Sequence, residues 1–258
     1  PEKRPREIYE QGNSVYYYSA DNASAATTYA NVTMDGDYNT AYFTRGSVEN
    51  YGTIDLRSQY DLDKRALDPT HEPVGYGNVG IISENTKYAS VNYGTITTGL
   101  SDTTNMMYSV AMGAGRNHYR TNDKNEVVYD RTDGQGYVEN RGTINVQEKA
   151  GIGMLATGRG SKAVNRGTIN LIGENSIGMY IDRSAVGENY GTITGNAQNL
   201  KGVIAINGGF IKNYGVIDIQ GTGSTGIMTD SSKFATDANG KVIFDADGTP
   251  IQVTDEGS

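Results

Sequence analysis

The stretch from 165 to 193, NRGTINLIGENSIGMYIDRSAVGENYGTI, begins and ends with the same motif, Asn-(Tyr or Arg)-Gly-Thr-Ile. The two copies start at Asn165 and Asn189, 24 residues apart. Between them lie a short apolar segment at 176–181 (SIGMYI) and a second short segment that leads into the next Asn. One unit therefore offers three short strands separated by Gly, Asn and Ser turns.

The same motif recurs on both sides of this stretch, with Thr or Val at its fourth position. Its copies start at Asn50, Asn92, Asn140, Asn165, Asn189 and Asn213. The steps between them are 42, 48, 25, 24 and 24 residues, so the unit is about 24 residues long and the two earlier steps contain inserts of 18 and 24. A fixed period of this length is typical of a solenoid.

Three strands of four to five residues and three turns fill one coil of a parallel β-helix. Stacked coils bury a continuous core, and their strands pair about 4.8 Å apart. The motif isoleucines should then form one buried column, which comprises Ile54, Ile96, Ile144, Ile169, Ile193 and Ile217. Met154, Met179 and Met228 are candidates for another column. The repeat thus predicts an all-β solenoid.

The invariant positions of the motif have a structural interpretation. We expect each Gly to supply a positive φ at a tight corner, and each Asn to bond the turn or its copies in a ladder. The predicted turn residues are Asn50, Gly52, Asn92, Gly94, Asn140, Gly142, Asn165, Gly167, Asn189, Gly191, Asn213 and Gly215.

The extent of the repeat predicts the domain organisation. Residues 1–36, polar and rich in Tyr, are expected to be a lead-in or cap, and 37–258 a single β-helical unit. Inserts are predicted at 57–73 (a short helix or compact loop), 113–136 and 230–247 (both β-hairpins). Inserts leave a stack undisturbed and often carry function.

Composition narrows the class of function. The chain has 258 residues, no Cys and a formal net charge of −8. Thiolate metal sites and disulfides are therefore excluded, and the negative charge argues against a nucleic-acid partner. The two histidines exclude a His-rich site, so no metal and no cofactor is expected.

The alternation of NYGTI or NRGTI with Gly-Ile-Gly-Met segments, from Asn50 to Asp230, resembles the passenger regions of large type Va autotransporter adhesins of the fusobacterial outer-membrane type. The resemblance implies a right-handed β-helix displayed on the surface of a Gram-negative bacterium and carried by a C-terminal membrane barrel. That barrel is absent from this chain, which would then be a passenger fragment. The implied function is coaggregation or host-cell attachment through glycan or protein receptors.

A stripe of flat side chains and several insert tyrosines are the candidate binding residues. Tyr and Arg stack well on their neighbours, and they also suit a partner's surface, so both a structural and a binding role stay open. These residues are Tyr51, Tyr93, Arg141, Arg166, Tyr190 and Tyr214 in the stripe, and Tyr60, Tyr76, Tyr119 and Tyr129 in or near the inserts.

Two other functions compete with the adhesin. A β-helical polysaccharide hydrolase or lyase would need paired carboxylates or an Arg or Lys base in a groove, for which Asp182, Arg183 and Asp218 are candidates. We expect no catalysis, because solvated turn residues explain these three equally well. The third possibility is a structural spacer within a longer surface fibre.

Overall fold

A computed structural model of the chain describes residues 15–19, 21–68, 70, 73–115, 118–121, 127–130, 135–229 and 243. They form a right-handed parallel β-helix, which confirms the fold predicted from the repeat. In these described ranges, seven complete coils of three strands are followed by the first strand of an eighth coil.

Each of the three sheets takes one strand from every coil, and all of its strand pairs are parallel. The first sheet contains, in stacking order, β1 (Val15–Ser19), β4 (Thr40–Thr44), β7 (Val79–Ser83), β10 (Val110–Ala114), β15 (Ile152–Thr157), β18 (Ile177–Asp182), β21 (Lys201–Ala205) and β24 (Thr225–Thr229). The second contains β2 (Ala25–Thr28), β5 (Ser47–Asn50), β8 (Ser90–Asn92), β13 (Tyr137–Asn140), β16 (Lys162–Asn165), β19 (Val186–Asn189) and β22 (Phe210–Asn213). The third contains β3 (Val32–Thr33), β6 (Thr53–Asp55), β9 (Thr95–Thr97), β14 (Thr143–Val146), β17 (Thr168–Leu171), β20 (Thr192–Gly195) and β23 (Val216–Ile219).

The core consists of columns of aliphatic side chains, one residue from each coil. The predicted isoleucine column is present from Ile54 to Ile217, in register between neighbouring strands of the third sheet. A second column in the first sheet contains Met112, Met154, Met179, Val203 and Ile227. Met228 was wrongly predicted to belong to it, because the register aligns Ile227 with Val203 of this column and Met228 with Ile204; in this last described strand both side chains are 45% exposed.

The asparagine of each motif copy forms a ladder of buried amides. Its Nδ2 donates to the Oδ1 of the Asn in the next coil, at 2.7 to 2.9 Å in all five steps. The backbone carbonyl of the same residue accepts two further bonds from the next turn; Asn140 O, for example, accepts from Arg166 N and Gly167 N. The motif Asn therefore fixes both the turn and the vertical alignment of the coils.

The motif glycines are required for a reason other than the predicted one. None of the six has a φ in the left-handed region. Instead, a Cβ built on Gly167 would lie far inside van der Waals contact with the carbonyl oxygen of Gly142 in the coil below, and the other five copies meet the same obstacle. The expectation of a positive φ was thus wrong, and close approach of backbone to backbone explains the glycine.

The solenoid begins earlier than the sequence predicted. Residues 15–33, assigned to a lead-in, form a complete coil in which Thr28 pairs with Asn50 and Val32 with Ile54. Here Thr-Tyr-Ala-Asn-Val replaces Asn-Tyr-Gly-Thr-Ile, which hid the repeat. Ala30 is compatible with the glycine position because no described coil lies beneath it. The remainder of the lead-in, 1–14, lies outside the described residues.

Two inserts lie within the described part of the chain. The first contains helix α1 (Gln59–Leu67), whose N-cap Ser58 accepts from the backbone N–H of Asp61 at 3.2 Å. The second contains the antiparallel hairpin of β11 (His118–Thr121) and β12 (Val127–Asp130). The predicted insert at 230–247 lies outside the described residues, apart from Ile243.

The second insert differs from its predicted bounds of 113–136. Residues 113 and 114 belong to β10, so the hairpin insertion begins after them. Part of the extra length lies before β10, because Asn92 to Val110 spans 18 residues where Asn140 to Ile152 spans 12. In that connection Asp102 and Met107 form an antiparallel bridge. The 24 extra residues are therefore divided between two connections.

We predict that Gly167→Ala lowers the free energy of unfolding by about 3 kcal/mol, because its Cβ must push two coils apart. Gly113→Ala is the matched control, since the nearest atom to its Cβ would be Ile82 Cγ1 at 3.8 Å. Urea denaturation followed by circular dichroism measures both variants. Equal stability of the two variants would contradict the close-approach explanation.

A second prediction concerns the amide ladder. Asn165→Ala leaves a buried donor on Asn140 and a buried acceptor on Asn189, and should cost about 3 kcal/mol. Asn213→Ala, at the exposed end of the ladder, should cost about 1 kcal/mol. Thermal and urea unfolding of the two variants gives the comparison, and a smaller loss for Asn165→Ala than for Asn213→Ala would disprove a stabilising role.

Candidate functional site

The residue after each motif Asn opens the turn between the second and third sheets, and these side chains stack into one column. We call this column the Tyr–Arg ladder. It contains, in order along the rod, Tyr29, Tyr51, Tyr93, Arg141, Arg166, Tyr190 and Tyr214. The structure thus brings together all six residues of the predicted stripe and adds Tyr29 from the first coil.

The ladder is continuous because ring or cation–π contacts join its neighbouring members, except Arg141 and Arg166, which are joined through the carboxylate of Glu139. The ring centroids of Tyr51 and Tyr93 are 4.6 Å apart with planes 6° from parallel, and those of Tyr190 and Tyr214 are 5.0 Å apart at 17°. The guanidinium carbon of Arg166 lies 4.3 Å from the Tyr190 ring centroid, and that of Arg141 lies 5.8 Å from the Tyr93 centroid. Cation–π contacts therefore join the arginines to the tyrosines on either side.

This stacking decides which part of each ring a partner can reach. Neighbouring rungs cover the ring faces, so a partner would meet mainly the edges of the rings, while the hydroxyl groups of Tyr51 and Tyr190 donate to Glu49 and Glu188. Within the described part of the chain, the most exposed rings are those at the ends of the ladder, where Tyr29 is 75% and Tyr214 is 65% exposed. Along its length the ladder offers edges and hydrogen-bonding groups, and it is not a platform on which sugar rings could lie flat.

Two nearly buried carboxylates underlie the centre of the ladder. Glu139 Oε1 accepts from Arg141 Nε at 2.6 Å and lies 3.0 Å from Arg166 Nε. Glu188 contacts Lys162 Nζ at 3.0 Å and Lys212 Nζ at 3.5 Å, and its Oε2 accepts from the Tyr190 hydroxyl at 3.3 Å. Both acids are held beneath the cations they orient.

The ionisation of these groups follows from their contacts. The hydrogen bond and negative charge of Glu139 raise the pKa of Arg141, which therefore stays charged. Partial burial alone would raise the pKa of Glu188, but hydrogen bonds from Lys162 and Tyr190 and the charges of Lys162 and Lys212 outweigh it and lower that pKa. Glu188 is consequently an anion at neutral pH.

The insert tyrosines do not join the ladder within the described residues. Tyr76 lies in the connection that leads from α1 to β7, where its backbone forms a bridge with Leu100 and its N–H donates to Asp37 at 2.8 Å. Burial, followed by the charges of Asp61 and Asp102, raises the Tyr76 pKa. Tyr60 lies in α1, and Tyr119 pairs with Tyr129 across the hairpin, but their side chains lie outside the described part of the chain.

The candidate catalytic residues are not brought to one place. Asp182 ends β18 in the first sheet, where it accepts from Asn207 Nδ2 at 2.8 Å and pairs with Arg183 at 3.5 Å. Asp218 lies in β23 of the third sheet, where it accepts from Gln220. A shallow groove of about 440 Å³ on the third sheet has no charged lining residue; it is lined by Asn170, Leu171, Ile172, Thr194, Gly195, Asn196 and Gln220.

Within the described residues, no group of three or more His, Asp or Glu side chains is arranged to hold a metal ion. In the same part of the chain, no helix has the length and apolarity needed to cross a bilayer.

Sequence reasoning missed the charged residues that accompany the ladder. Glu139, Glu188 and Lys212 each directly precede a motif Asn, so their shared position in the repeat, at spacings of 49 and 24 residues, was a usable signal. Lys162 was harder to find, because its partner Glu188 lies on the next coil. Tyr29 was hidden by the degenerate first motif.

Comparison with known proteins supports the fold and the class of protein. Residues 67–192, from the end of α1 to the start of β20, match the family model described as the BigA third pectate lyase-like domain. This is a β-helix type domain of bacterial surface proteins. The match covers just under half of the chain and establishes no activity. Neither the curated proteins nor the solved structures gave a match.

We predict that Glu188 makes part of the stability of the rod depend on pH. Its pKa is lowered by folding, so the stabilisation is fully present above the ordinary value of 4.5 and is lost as the pH falls through the lower, folded-state pKa. Thermal melts of wild type and Glu188→Gln between pH 7 and pH 3 should show a smaller loss of Tm on acidification in the variant. Asp218→Gln is a control on an exposed carboxylate. If Tm falls with pH to the same extent in wild type and Glu188→Gln, Glu188 does not contribute to the pH dependence of stability.

Proposed function

We propose that the chain is a passenger fragment of a cell-surface adhesin, which binds glycan or protein receptors on host cells or other bacteria without catalysis. The protein would be displayed on the outer membrane of a Gram-negative bacterium. The match to a domain of bacterial surface proteins and the resemblance of the repeat to autotransporter passengers both support this location.

The observation that carries the proposal is the exposed Tyr–Arg ladder. It extends over all seven complete coils, which at about 4.8 Å per coil make a rod on the order of 35 Å long. Tyr and Arg are both enriched in binding surfaces; Tyr supplies contact area at a low cost in conformational entropy, and Arg supplies several hydrogen-bond donors.

The rod also holds the ladder in a fixed geometry. The motif isoleucines from Ile54 to Ile193 are buried, hydrogen bonds between side-chain amides join the motif asparagines, and the acids Glu139 and Glu188 orient the cations. A ligand would therefore meet groups whose positions are already set, which reduces the entropy lost on binding.

The alternatives have weaker support. A polysaccharide hydrolase or lyase needs acidic or basic groups that converge in a groove, whereas the described groove is lined by amides, hydroxyls and aliphatic side chains. A spacer has no need of an exposed ladder, although stacking of Tyr and Arg also shields the backbone of the turns. Binding experiments separate the three functions.

We predict that Tyr51→Ser combined with Tyr190→Ser reduces adhesion of protein-coated beads to epithelial and bacterial cells about tenfold, because two exposed aromatic contacts are lost. Tyr18→Ser is the matched control: Tyr18 is also an exposed, stacked tyrosine, 57% accessible and 5.3 Å from Phe43, but it lies on the first sheet. Unfolding temperatures establish that each variant is folded.

The outcomes distinguish the three functions. Loss of adhesion in the ladder variant alone supports the adhesin. If neither the wild type nor the variants adhere to cells, the spacer function is supported. If all of them adhere to the same extent, the ladder is not the binding surface. Release of sugar fragments from any polysaccharide offered in the assay would establish an enzyme.

A further inference from the structure

The outer side of the second sheet and its turn has a distinctive arrangement of charge. Its charged residues in coils four to seven comprise the carboxylates Glu139 and Glu188 and the cations Arg141, Lys162, Arg166 and Lys212. The acid side chains are only 7% and 10% exposed, whereas the four cations are 36 to 48% exposed. A ligand that approaches this side therefore meets the positive groups first. We call these four cations the cationic strip.

The charge of the two arginines is only half balanced. Arg141 and Arg166 both direct Nε at the same oxygen of Glu139, which carries one negative charge. Among the described residues, their other contacts are the rings of Tyr93 and Tyr190, which orient the guanidinium planes without neutralising them. Because a guanidinium has five N–H donors and Nε supplies only one, the terminal amino groups are left for a further acceptor.

The lysine pair repeats this arrangement on the neighbouring coils. Lys162 and Lys212 contact the two different oxygens of Glu188, so one carboxylate again serves two cations. Among the described residues, the four cations of the strip and the acids Glu139 and Glu188 together carry two more positive than negative charges, on a chain whose formal net charge is −8. A local charge opposite to that of the whole protein is a feature that could select an anionic ligand.

We propose that the cationic strip binds the carboxylate or sulfate groups of a linear acidic glycan lying along the axis of the rod. This inference rests on the proposed adhesin function and names the class of its receptor. Terminal guanidinium N–H groups of Arg141 and Arg166 would donate paired hydrogen bonds to an anionic group, with Lys162 and Lys212 contacting further ones. The tyrosine edges on either side would contact sugar hydroxyls.

The shape of this surface favours a glycan over an acidic peptide. A peptide usually gains affinity from apolar side chains in pockets or from pairing with a sheet edge. The strip offers little for such pairing, because β13, β16 and β19 each have a hydrogen-bonded strand on both sides, and only β22, which bears Lys212, has a single partner among the described strands. A glycan rich in hydroxyl and anionic groups needs only donors and acceptors arranged along a line.

The test measures binding of the folded chain to immobilised heparin and hyaluronan, which separate sulfate from carboxylate recognition, with dextran as a neutral glycan. Arg141→Gln combined with Arg166→Gln should weaken binding to the preferred acidic glycan about tenfold or more. Added salt should weaken wild-type binding, since the attraction is screened. Lys87→Gln combined with Lys149→Gln removes the same charge from exposed positions off the strip and should leave binding unchanged.

Further variants of the strip keep the inference testable if the double arginine variant does not fold. Should the double arginine variant unfold, each single Arg→Gln variant and the pair Lys162→Gln and Lys212→Gln give independent measurements of the same strip. Each of these variants should weaken binding to the acidic glycan by at least severalfold while the unfolding temperature still shows a folded protein.

Three results would overturn the inference. The first is binding to dextran as strong as binding to the acidic glycans. The second is an equal loss of acidic-glycan binding in the strip variants and the control variant. The third is that poly-glutamate or a single-stranded oligonucleotide displaces the acidic glycan as well as, or better than, the free glycan does. Cell attachment is a separate measurement, which tests the adhesin proposal itself. Attachment that acidic glycans do not inhibit would remove this receptor class and leave the adhesin intact, whereas the absence of any attachment would remove both.

Discussion

The close vertical contact of the motif backbones is the constraint on which the rest of the structure depends. The carbonyl oxygen of each motif glycine occupies the space in which a side chain of the next glycine would lie. The coils can therefore stack only where the residue is glycine, and they stack in one register because the adjacent asparagine amides bond from coil to coil. Buried amides left without partners would cost more free energy than their bonds contribute, which makes this register exclusive.

That register also aligns the side chains on the outside of the rod. A residue type repeated at one motif position becomes a column, whether isoleucine in the core or tyrosine at the surface. The Tyr–Arg ladder and the charges beneath it are thus products of the same period that builds the core. Arg141 and Arg166, two like charges on adjacent coils, are tolerated because the carboxylate of Glu139 lies against both.

Much of this architecture could be predicted from the sequence, because the motif is local and its period is short. The isoleucine column and the members of the stripe follow from spacing alone. The reason for the glycines could not be predicted, since it depends on a contact between residues 24 or more positions apart. The first coil escaped notice because Thr28 and Ala30 replace the two invariant residues. The sequence also could not show how the rings are oriented, with their edges exposed and their faces covered, because this depends on contacts between successive coils.

The amide ladder has a polarity that the repeat alone does not reveal. Every step donates from the earlier coil to the later one, so the side-chain dipoles point the same way and reinforce one another. An acceptor, the buried Oδ1 of Asn50, is left unpaired at the amino-terminal end, where Thr28 stands in place of an amide. At the other end Asn213 can donate upward. Further coils grafted onto this end would thus continue the ladder in only one orientation, the one that places an acceptor above Asn213. Coils grafted in the reverse orientation would place an amide donor against the donor of Asn213.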